Sequence, residues 1–450
     1  MRKYFGTDGI RGVANTYPLT PDMLIKIAQA AGLELSRGDH RHTVIIGKDT
    51  RLSGYMIESA LAAGFISVGM DVVYLGPLPT PAVSMLTRSL RADLGVMISA
   101  SHNPAADNGL KFFGPDGFKL IDQEEKAIEK RTECLDNQSL VCSLELGHAQ
   151  RLDDAQGRYI EYVKNTFPKR MCLDGLKIVI DCANGAAYDI APRILWELGA
   201  EVYPIGDNPN GENINHECGA TAPDAMRAAI IHHKADVGIA LDGDADRVII
   251  ADESGQIIDG DAILALLSAS WKEKKMLSKN WVVGTTMSNL GLERFLNDIG
   301  IELLRTDVGD RYVVEAMRHK NINIGGEQSG HIILGDYVNT GDGLITALQF
   351  LAIMVEKGLP ASVIGTPFLR VPQILKNIGV RYPEEVLQSS CVQDIIQAKH
   401  EELAKKGRII VRKSGTEPLI RVMVEGDSKE EISRIADQVL SVIAKRDAAA

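Results

Sequence analysis

The chain has 450 residues, which is too long for one ordinary hydrophobic core, so its length predicts several domains. Hydrophobic residues make up 45% and charged residues 24%, the balance of a folded protein rather than a disordered one. The formal net charge of −11, with no run of Lys and Arg, excludes an electrostatic nucleic-acid binder and favours a protein that works on small metabolites.

The beginning of the chain and its cysteines predict where the protein works. Residues 1–6 lack the apolar stretch of a signal peptide, and nowhere do about eighteen apolar residues run together. The six cysteines are scattered without a Cys-x-x-Cys pair, so the sequence predicts neither a zinc site nor a disulfide framework. We therefore expect a cytoplasmic protein with no membrane partner.

A unit of alternating strands and helices occurs three times along the chain. Each copy has three predicted strands, with helical segments after the first and the second. Such alternation requires crossovers, and crossovers produce a largely parallel sheet covered by helices. The predicted strands lie at residues 43–46, 69–72 and 92–98, then 177–180, 199–202 and 235–240, then 281–283, 300–303 and 321–324.

The three copies predict three related α/β sandwich domains with mixed, largely parallel sheets, and the tail breaks their pattern. It reads as strands at 408–411 and 419–424, followed by a helix whose N-cap is Ser428, with Glu431 completing a capping box. This predicts a smaller α+β domain. The predicted domains are residues 1–152, 153–255, 256–368 and 369–450.

The loops that leave the third strand of each copy should carry the chemistry. In parallel sheets, ligands gather beyond the carboxyl ends of the strands. These loops are the most unusual stretches of the sequence: Ser-Ala-Ser-His-Asn-Pro at 99–104, Asp-Gly-Asp-Ala-Asp-Arg at 242–247 and Gly-Gly-Glu-Gln-Ser-Gly-His at 325–331.

The second of these loops predicts a metal site. Asp242, Asp244 and Asp246 alternate with small residues, so their carboxylates can converge on one hard cation such as Mg²⁺. At about 5 Å apart, each pair of carboxylates repels by about 3 kcal/mol at an effective dielectric near 20, which a cation relieves. An EF-hand is excluded because Arg247 stands where that loop needs Gly, and because strands flank the loop.

The first loop contains a candidate nucleophile, Ser101. It follows a buried strand, where we expect its hydroxyl to be exposed at the sheet edge, and no Gly-x-Ser-x-Gly elbow surrounds it. Phosphoryl transfer needs a nucleophile, charge neutralisation and a proton shuttle. Ser101 would be the nucleophile, and the cation with Arg247 would neutralise charge. The shuttle is open among Lys111, His102 and His331.

Two more loops predict phosphate contacts. A guanidinium, hydroxyls and exposed backbone N–H groups suit the oxygens of a phosphate that is not transferred. The tail supplies Arg412, Ser414, Gly415, Thr416 and Arg421. Near the start, the glycine-framed Arg11 is a weaker candidate.

Five motifs in order resemble the α-D-phosphohexomutase superfamily over essentially the whole chain. They are Gly-Ile-Arg-Gly at 9–12, the three loops described above, and Arg-Lys-Ser-Gly-Thr-Glu-Pro at 412–418. The resemblance implies four domains around a central cleft, with Ser101 as a phosphoserine. Asp242, Asp244 and Asp246 would bind one Mg²⁺ together with a phosphoserine oxygen.

The same resemblance implies roles for the remaining residues. Arg11 and Lys111 would assist transfer at the reacting hydroxyl. The substrate side would be formed by Glu327, Ser329, His331, Arg412, Ser414, Gly415, Thr416 and Arg421.

Within the superfamily, Gln328 and the short segment before Phe5 favour the branch that acts on glucosamine phosphate. The implied reaction converts glucosamine 6-phosphate to glucosamine 1-phosphate, a step towards UDP-N-acetylglucosamine and the bacterial cell wall. It passes through a 1,6-bisphosphate, and a sugar 1,6-bisphosphate would also prime a dephosphorylated enzyme. A homodimer is one assembly to test.

Three alternatives stay open at this point. The chain could act on mannose or glucose phosphates within the same superfamily. It could be a metal-dependent sugar phosphatase in which Asp242 or Asp244 attacks phosphate, although such enzymes place their Asp-x-Asp after the first strand. It could also be a sugar-phosphate sensor without catalysis.

Overall fold

The computed structural model describes residues 3–6, 8–136, 140–413 and 419–448. The chain divides into two compact units, the first comprising Met1–Thr285 with Leu304–Pro367 and the second Thr286–Leu303 with Phe368–Ala450. Within the described residues the strands form four sheets. The predicted fold class, repeated α/β domains followed by a smaller α+β domain, is confirmed. Over the same residues, no helix combines the length and apolar character needed to cross a membrane.

The first sheet is mixed. Its strands are β1 (Ile10–Val13), β2 (Thr43–Lys48), β3 (Asp71–Pro77), β4 (Leu94–Ile98), β5 (Asp107–Phe113) and β6 (Ala149–Arg151), in the order β1-β5-β4-β2-β3-β6. Strand β2 pairs in parallel with β3 and β4, while β5 runs antiparallel to both β1 and β4. The helices of this part are α1 (Pro21–Leu35), α2 (Ser53–Ser67), α3 (Thr80–Ser89) and α4 (Asp122–Cys134).

The apolar strands and a close helix contact build the core around this sheet. Val44, Ile45 and Ile46 are all fully buried, as expected of a parallel strand covered on both faces. Gly64 on α2 lets this helix approach α1, because a Cβ there would lie 2.6 Å from the Cβ of Ala28. Strand β6, at the far edge, was not predicted because its three residues are all exposed and polar in pattern.

The second sheet has the order β11-β10-β9-β7-β8. Its elements are β7 (Lys177–Asp181), β8 (Glu201–Ile205), β9 (Val237–Leu241), β10 (Val248–Asp252) and β11 (Ile257–Ile258), with α5 (Ala155–Lys164), α6 (Ile190–Glu197) and α7 (Asp224–His233). Strand β7 pairs in parallel with β8 and β9, and β10 returns antiparallel to β9.

The third sheet has the order β13-β12-β14-β15. Its strands are β12 (Trp281–Thr285), β13 (Glu302–Thr306), β14 (Ile324–Gly326) and β15 (Ile332–Leu334), and the helices of this stretch are α8 (Gly260–Glu273), α9 (Leu290–Asp298), α10 (Asp310–Lys320), α11 (Gly343–Lys357) and α12 (Ala361–Ile364). The strand predicted at 321–324 begins only at Ile324, because Asn321 ends α10 with a φ of 54° in the left-handed region.

The second unit carries an antiparallel sheet, β16-β18-β17. Its elements are β16 (Gln373–Gly379), β17 (Gly407–Lys413) and β18 (Leu419–Gly426), with α13 (Pro383–Gln388), α14 (Ser390–Leu403) and α15 (Lys429–Ala448). The sequence did not predict β16, whose apolar residues are only half-buried. The predicted cap of α15 is confirmed, since the backbone N–H of Glu431 donates to Ser428 Oγ at 3.3 Å.

Each of the three α/β sheets repeats one local feature. The third strand of each copy, β4, β9 or β14, turns directly into an antiparallel neighbour, β5, β10 or β15. The sequence did not predict β5 or β15. The loops predicted to carry chemistry are therefore short connections between paired strands, which holds both of their ends in place.

A buried carboxylate links α11 to α5. Asp342 is the N-cap of α11, where its Oδ1 accepts a hydrogen bond from the Ile345 N–H at 2.9 Å. Its Oδ2 accepts another from the Tyr159 hydroxyl at 2.7 Å. Burial nevertheless raises the pKa of Asp342 from 3.8 to about 6.

This raised pKa predicts a pH-dependent stability. The folded chain binds an extra proton between the unfolded pKa of 3.8 and the folded pKa of about 6, so the contribution of Asp342 falls as pH rises through this window. The difference corresponds to about 3 kcal/mol. Asp342→Asn keeps a capping oxygen and removes the titration. As the pH rises from 4 to 7, the thermal midpoint of the wild type should therefore fall relative to that of the variant. If the two midpoints changed with pH in the same way, Asp342 would not have the raised pKa.

Candidate active site

Ser101 lies in the connection between β4 and β5, with a φ of 52° in the left-handed region. Its Oγ donates a hydrogen bond to Asp242 Oδ2 at 2.6 Å and lies 3.4 Å from His102 Nδ1. The prediction of an exposed hydroxyl is wrong, because Ser101 has no solvent-accessible surface. The acidic loop after β9 covers it, so the first and second repeats of the first unit meet at this serine.

An ion pair that was not predicted from the sequence holds the Ser101 loop. Arg51 is 1% exposed, and its Nη2 donates to the carbonyl oxygens of Ser101 and Asn103, both at 2.9 Å. Its Nε donates to Asp49 Oδ2 at 2.8 Å, and the same carboxylate oxygen accepts from Ser99 Oγ at 2.6 Å. Asp49 and Arg51 lie in the polar loop directly after the first predicted strand. That position in the sequence could have marked them as residues that support the site.

Arg51→Lys should lower kcat by about 100-fold, because a lysine cannot reproduce the planar fork of donors and the serine would shift by a fraction of an ångström. The remaining positive charge still pairs with Asp49, so the fold should survive. Steady-state kinetics and amide hydrogen exchange over residues 99–107 measure the effect. The matched control is Arg41→Lys, which also loses bonds to carbonyl oxygens but at the other end of the strands. Equal kcat values in the two variants would contradict this role.

The acidic loop after β9 forms a buried cluster. One carboxylate oxygen each from Asp242, Asp244 and Asp246 lies within 4.8 Å of the others. Burial and the two neighbouring carboxylates raise the pKa of Asp242 to about 8. Among the described residues, Asp244 Oδ1 and Asp246 Oδ1 are buried and accept no hydrogen bond. Unsatisfied, converging carboxylate oxygens are what a hard divalent cation such as Mg²⁺ requires, so these residues fit one.

Lys111, on β5, occupies the other side of the same carboxylates. Its Nζ donates to Asp244 Oδ2 at 2.7 Å and to Asp246 Oδ2 at 2.8 Å. Burial alone would lower the pKa of Lys111, but these two carboxylates outweigh burial and raise it well above its ordinary value. The side chain is therefore an ammonium that neutralises part of the cluster through the Oδ2 atoms of Asp244 and Asp246.

Two arginines and a neutral histidine surround Ser101. The Arg247 backbone N–H donates to Asp242 Oδ1 at 3.1 Å, and its Nε lies 3.8 Å from Asp246 Oδ1. Arg11, on β1, donates to the Ala100 carbonyl at 3.3 Å. Burial, together with these two guanidinium groups, lowers the pKa of His102 to about 4. His102 is therefore neutral at physiological pH.

The loop between β14 and β15 contributes residues with different surroundings. Glu327 Oε1 accepts a hydrogen bond from the Gly309 N–H at 3.0 Å, and Ser329 is exposed. His331 is buried, with Nδ1 3.5 Å from Asp246 Oδ1, and its Nε2 accepts from the Gly341 N–H at 3.1 Å. The structure thus places His331 against the acidic cluster.

Further charged and polar residues extend this cluster, and the sequence pattern around them does not mark them as site residues. Lys119 forms ion pairs with both Asp8 and Asp310. The Thr80 N–H donates to the Asp244 carbonyl at 2.9 Å, and its hydroxyl donates to the carboxylate of the same residue. These partners come from distant segments, so only the folded arrangement of the first unit reveals them.

The predicted phosphate loop belongs to the second unit. Ser414, Gly415 and Thr416 lie outside the described residues. Arg412 and Arg421, on either side of that stretch, are direct partners in the antiparallel register of β17 and β18. Two guanidinium groups therefore flank this loop on neighbouring strands.

Four family models match the chain in succession. Those described as phosphoglucomutase/phosphomannomutase, alpha/beta/alpha domains I, II and III, match residues 2–139, 157–255 and 259–367, and the C-terminal domain model matches residues 374–442. The chain belongs to the phosphoglucomutase/phosphomannomutase family. The resemblance read from the five motifs is confirmed.

Relatives with curated names indicate which branch of this family the chain is most similar to. A protein of Parvibaculum lavamentivorans named phosphoglucosamine mutase is 59% identical over 442 residues, covering 98% of both chains. Another of that name, from Rhodospirillum centenum, is 58% identical and covers 98% of this chain and 95% of its own.

Solved structures of phosphoglucomutase/phosphomannomutase type share the fold. A family protein from Burkholderia thailandensis superposes with a TM-score of 0.82 at 23% identity, covering 99% of this chain and 98% of its own. The N-acetylphosphoglucosamine mutase of Aspergillus fumigatus, solved with GlcNAc-6P and magnesium, gives a TM-score of 0.70 at 18% identity, covering 99% and 96%.

Proposed function

We propose that this chain is an intramolecular phosphotransferase that converts glucosamine 6-phosphate to glucosamine 1-phosphate, as in UDP-N-acetylglucosamine synthesis. The observation that carries the proposal is the 2.6 Å hydrogen bond from Ser101 Oγ to Asp242, within a buried acidic cluster in which Asp244 Oδ1 and Asp246 Oδ1 accept no hydrogen bond. The substrate comes from the name of the relatives that are 58–59% identical over nearly the whole chain.

Ser101 carries the phosphoryl group in both directions. In the first half-reaction the sugar O1 attacks the phosphorus of phosphorylated Ser101, the Oγ–P bond breaks, the O1 proton passes to Ser101 Oγ by way of neutral His102, and a 1,6-bisphosphate forms. The intermediate turns end for end. In the second half-reaction Ser101 Oγ attacks the 6-phosphoryl group and the sugar recovers its hydroxyl. The net reaction consumes no water and needs only one phosphoryl group on the enzyme at the start, which a sugar 1,6-bisphosphate can supply.

We assign the proton steps by position and charge. Neutral His102 lies next to Ser101 Oγ and can hold the serine proton during phosphorylation. Lys111 is protonated, so it is in the right state to give a proton to the sugar oxygen when the phosphoryl group returns to Ser101. The proton held by His102 then restores the ammonium form of Lys111. His331 contacts Asp246 instead, and we assign it the role of orienting that carboxylate.

Charge neutralisation comes from both sides of the cluster. Held by Asp242, Asp244 and Asp246, Mg²⁺ would neutralise oxygens of the phosphoryl group in the transition state. Arg11 supplies a guanidinium group next to the serine, where it donates to the Ala100 carbonyl, and Arg247 supplies one near Asp246. We assign Glu327 and Ser329 to the sugar hydroxyls, and Arg412 and Arg421, with the loop between them, to the phosphate that is not transferred.

Intact-mass spectrometry of the purified protein tests the proposal. A fraction of the wild type should be heavier by the mass of one phosphoryl group, and glucosamine 6-phosphate should discharge it. Ser101→Ala should show no such fraction. A sensor would keep the same mass with and without the sugar phosphate, which would overturn the catalytic proposal.

Turnover of glucosamine, glucose and mannose 6-phosphates, measured side by side, tests the substrate. We expect the highest kcat/KM for the glucosamine compound; a preference for either of the others would move the chain to another branch of the family. The proposal also places the enzyme in the cytoplasm, and light scattering in solution tests a homodimer.

A further inference from the structure

We propose that His40, His42 and Asp93 form a second metal site, selective for a divalent transition ion such as Zn²⁺, at the end of the first sheet opposite Ser101. His40 and His42 precede β2, and Asp93 directly precedes β4. Ser101 follows the other end of β4, so roughly 15–20 Å of strand separates the two sites.

The three side chains have the spacing of a zinc site. Asp93 Oδ1 lies 2.9 Å from His40 Nε2 and 3.2 Å from His42 Nδ1, and one ligand atom from each of the three side chains lies within 4.8 Å of the others. With bonds of about 2.0–2.2 Å in a tetrahedral zinc site, ligand atoms are separated by about 3.3 Å. An ion can therefore replace the shared hydrogen-bonding protons with only small side-chain movements.

The carboxylate is already oriented for this role. Asp93 Oδ2 accepts a hydrogen bond from the Thr43 N–H at 2.8 Å, and the Asp93 N–H donates to the Thr43 carbonyl at 2.9 Å. One oxygen is thus committed to the backbone, and the other points at both imidazoles. Hydrogen bonds that fix a ligand in this way are a regular part of metal sites.

The neighbouring cation does not compete for the site. Arg41, between the two histidines in sequence, donates to Asp71 Oδ1 at 3.0 Å and to the Leu146 carbonyl at 2.6 Å.

The side chain of His40 is 55% exposed and that of His42 is 18% exposed. Solvent can therefore reach the site and supply the remaining coordination positions.

Ligand chemistry separates this site from the acidic cluster. Two imidazoles and one carboxylate suit Zn²⁺, whereas Mg²⁺ prefers oxygen ligands only. An ion bound here would join the beginnings of β2 and β4, which should stabilise the first sheet. The inference does not depend on the proposed mutase activity, because its measurements detect only metal binding and stability.

Isothermal titration of the full-length protein with ZnCl₂ in excess Mg²⁺ tests the site. We expect one Zn²⁺ per chain and a rise in the thermal midpoint. His40→Ala and His42→Ala should each weaken Zn²⁺ binding by at least tenfold and remove the rise. Because His40 is largely exposed, its variant is expected to fold.

His148→Ala is the matched control, since His148 pairs with Asp71 at the same end of the sheet, 2.9 Å away, and belongs to no such cluster among the described residues. It should bind Zn²⁺ like the wild type. The proposal is overturned if Zn²⁺ does not bind in excess Mg²⁺, if binding survives both single variants, or if His148→Ala weakens it equally.

Discussion

Replacing Ser101 with alanine should lower kcat by about 10⁵-fold or more, because the group that carries the phosphoryl is lost and no neighbour can substitute for it. The variant should still fold, since alanine occupies the same left-handed backbone conformation no worse than serine. Asp242 keeps its hydrogen bond from the Arg247 N–H, so the acidic cluster should still bind Mg²⁺. Coupled turnover assays and Mg²⁺ titration calorimetry measure the two properties.

Asp242→Asn is the informative partner of this experiment. If the chain used an aspartate to attack phosphate, Ser101→Ala would retain turnover and Asp242→Asn alone would lose it. These two results together would indicate that the chain is a sugar phosphatase. Loss of turnover in both variants is the outcome that the proposed mechanism requires.

Lys111→Met should lower kcat by about 10³-fold, because it removes a preorganised positive charge from the reacting centre. The ammonium contacts Asp244 at 2.7 Å and Asp246 at 2.8 Å, so its loss also leaves two buried carboxylates without their counterion. A divalent cation then has less positive charge to compete with. Mg²⁺ should therefore bind at least as tightly to the variant as to the wild type.

Lys48→Met is the matched control for this prediction. Lys48 is also buried and paired, with Glu58 at 2.5 Å, but Glu58 belongs to α2 and not to the acidic cluster. The control should lose stability and keep most of its kcat. If Lys111→Met lost kcat and Mg²⁺ affinity in proportion, the lysine would be a support of the metal loop rather than a participant in transfer.

The threefold repeat made much of this site predictable from the sequence. Strands that run in parallel end at the same edge, so the order of the strands alone assigned the residues after 98, 240 and 324 to functional loops. The spacing of the three aspartates predicted their convergence, and they do converge. The family, and the α/β class of three of the sheets, followed from the same reasoning.

The remaining features of the site depend on contacts between distant or irregular segments, which the periodic pattern of the sequence does not encode. Ser101 is buried against Asp242, rather than exposed at an edge, because of how the first and second sheets pack against each other. The ion pair of Lys119 with Asp310 joins distant segments, and that of Asp49 with Arg51 lies within one loop, yet all four look like ordinary polar residues in the sequence. Strand β15 was missed because three residues are too few to show an alternating pattern.

The bonds made by Arg51 suggest how the reactive loop can be re-engineered. Its guanidinium donates to the backbone carbonyls of Ser101, Asn103, Pro104 and Asp107. These four bonds are made to main-chain atoms, so they do not themselves depend on the side chains of the loop; Asn103 adds a side-chain bond of its own, from Nδ2 to Asp107 Oδ2 at 2.9 Å. Position 102, which carries the proposed proton acceptor, is therefore suited to saturation mutagenesis, in which new chemistry could be selected while Arg51 and Asn103 hold the backbone.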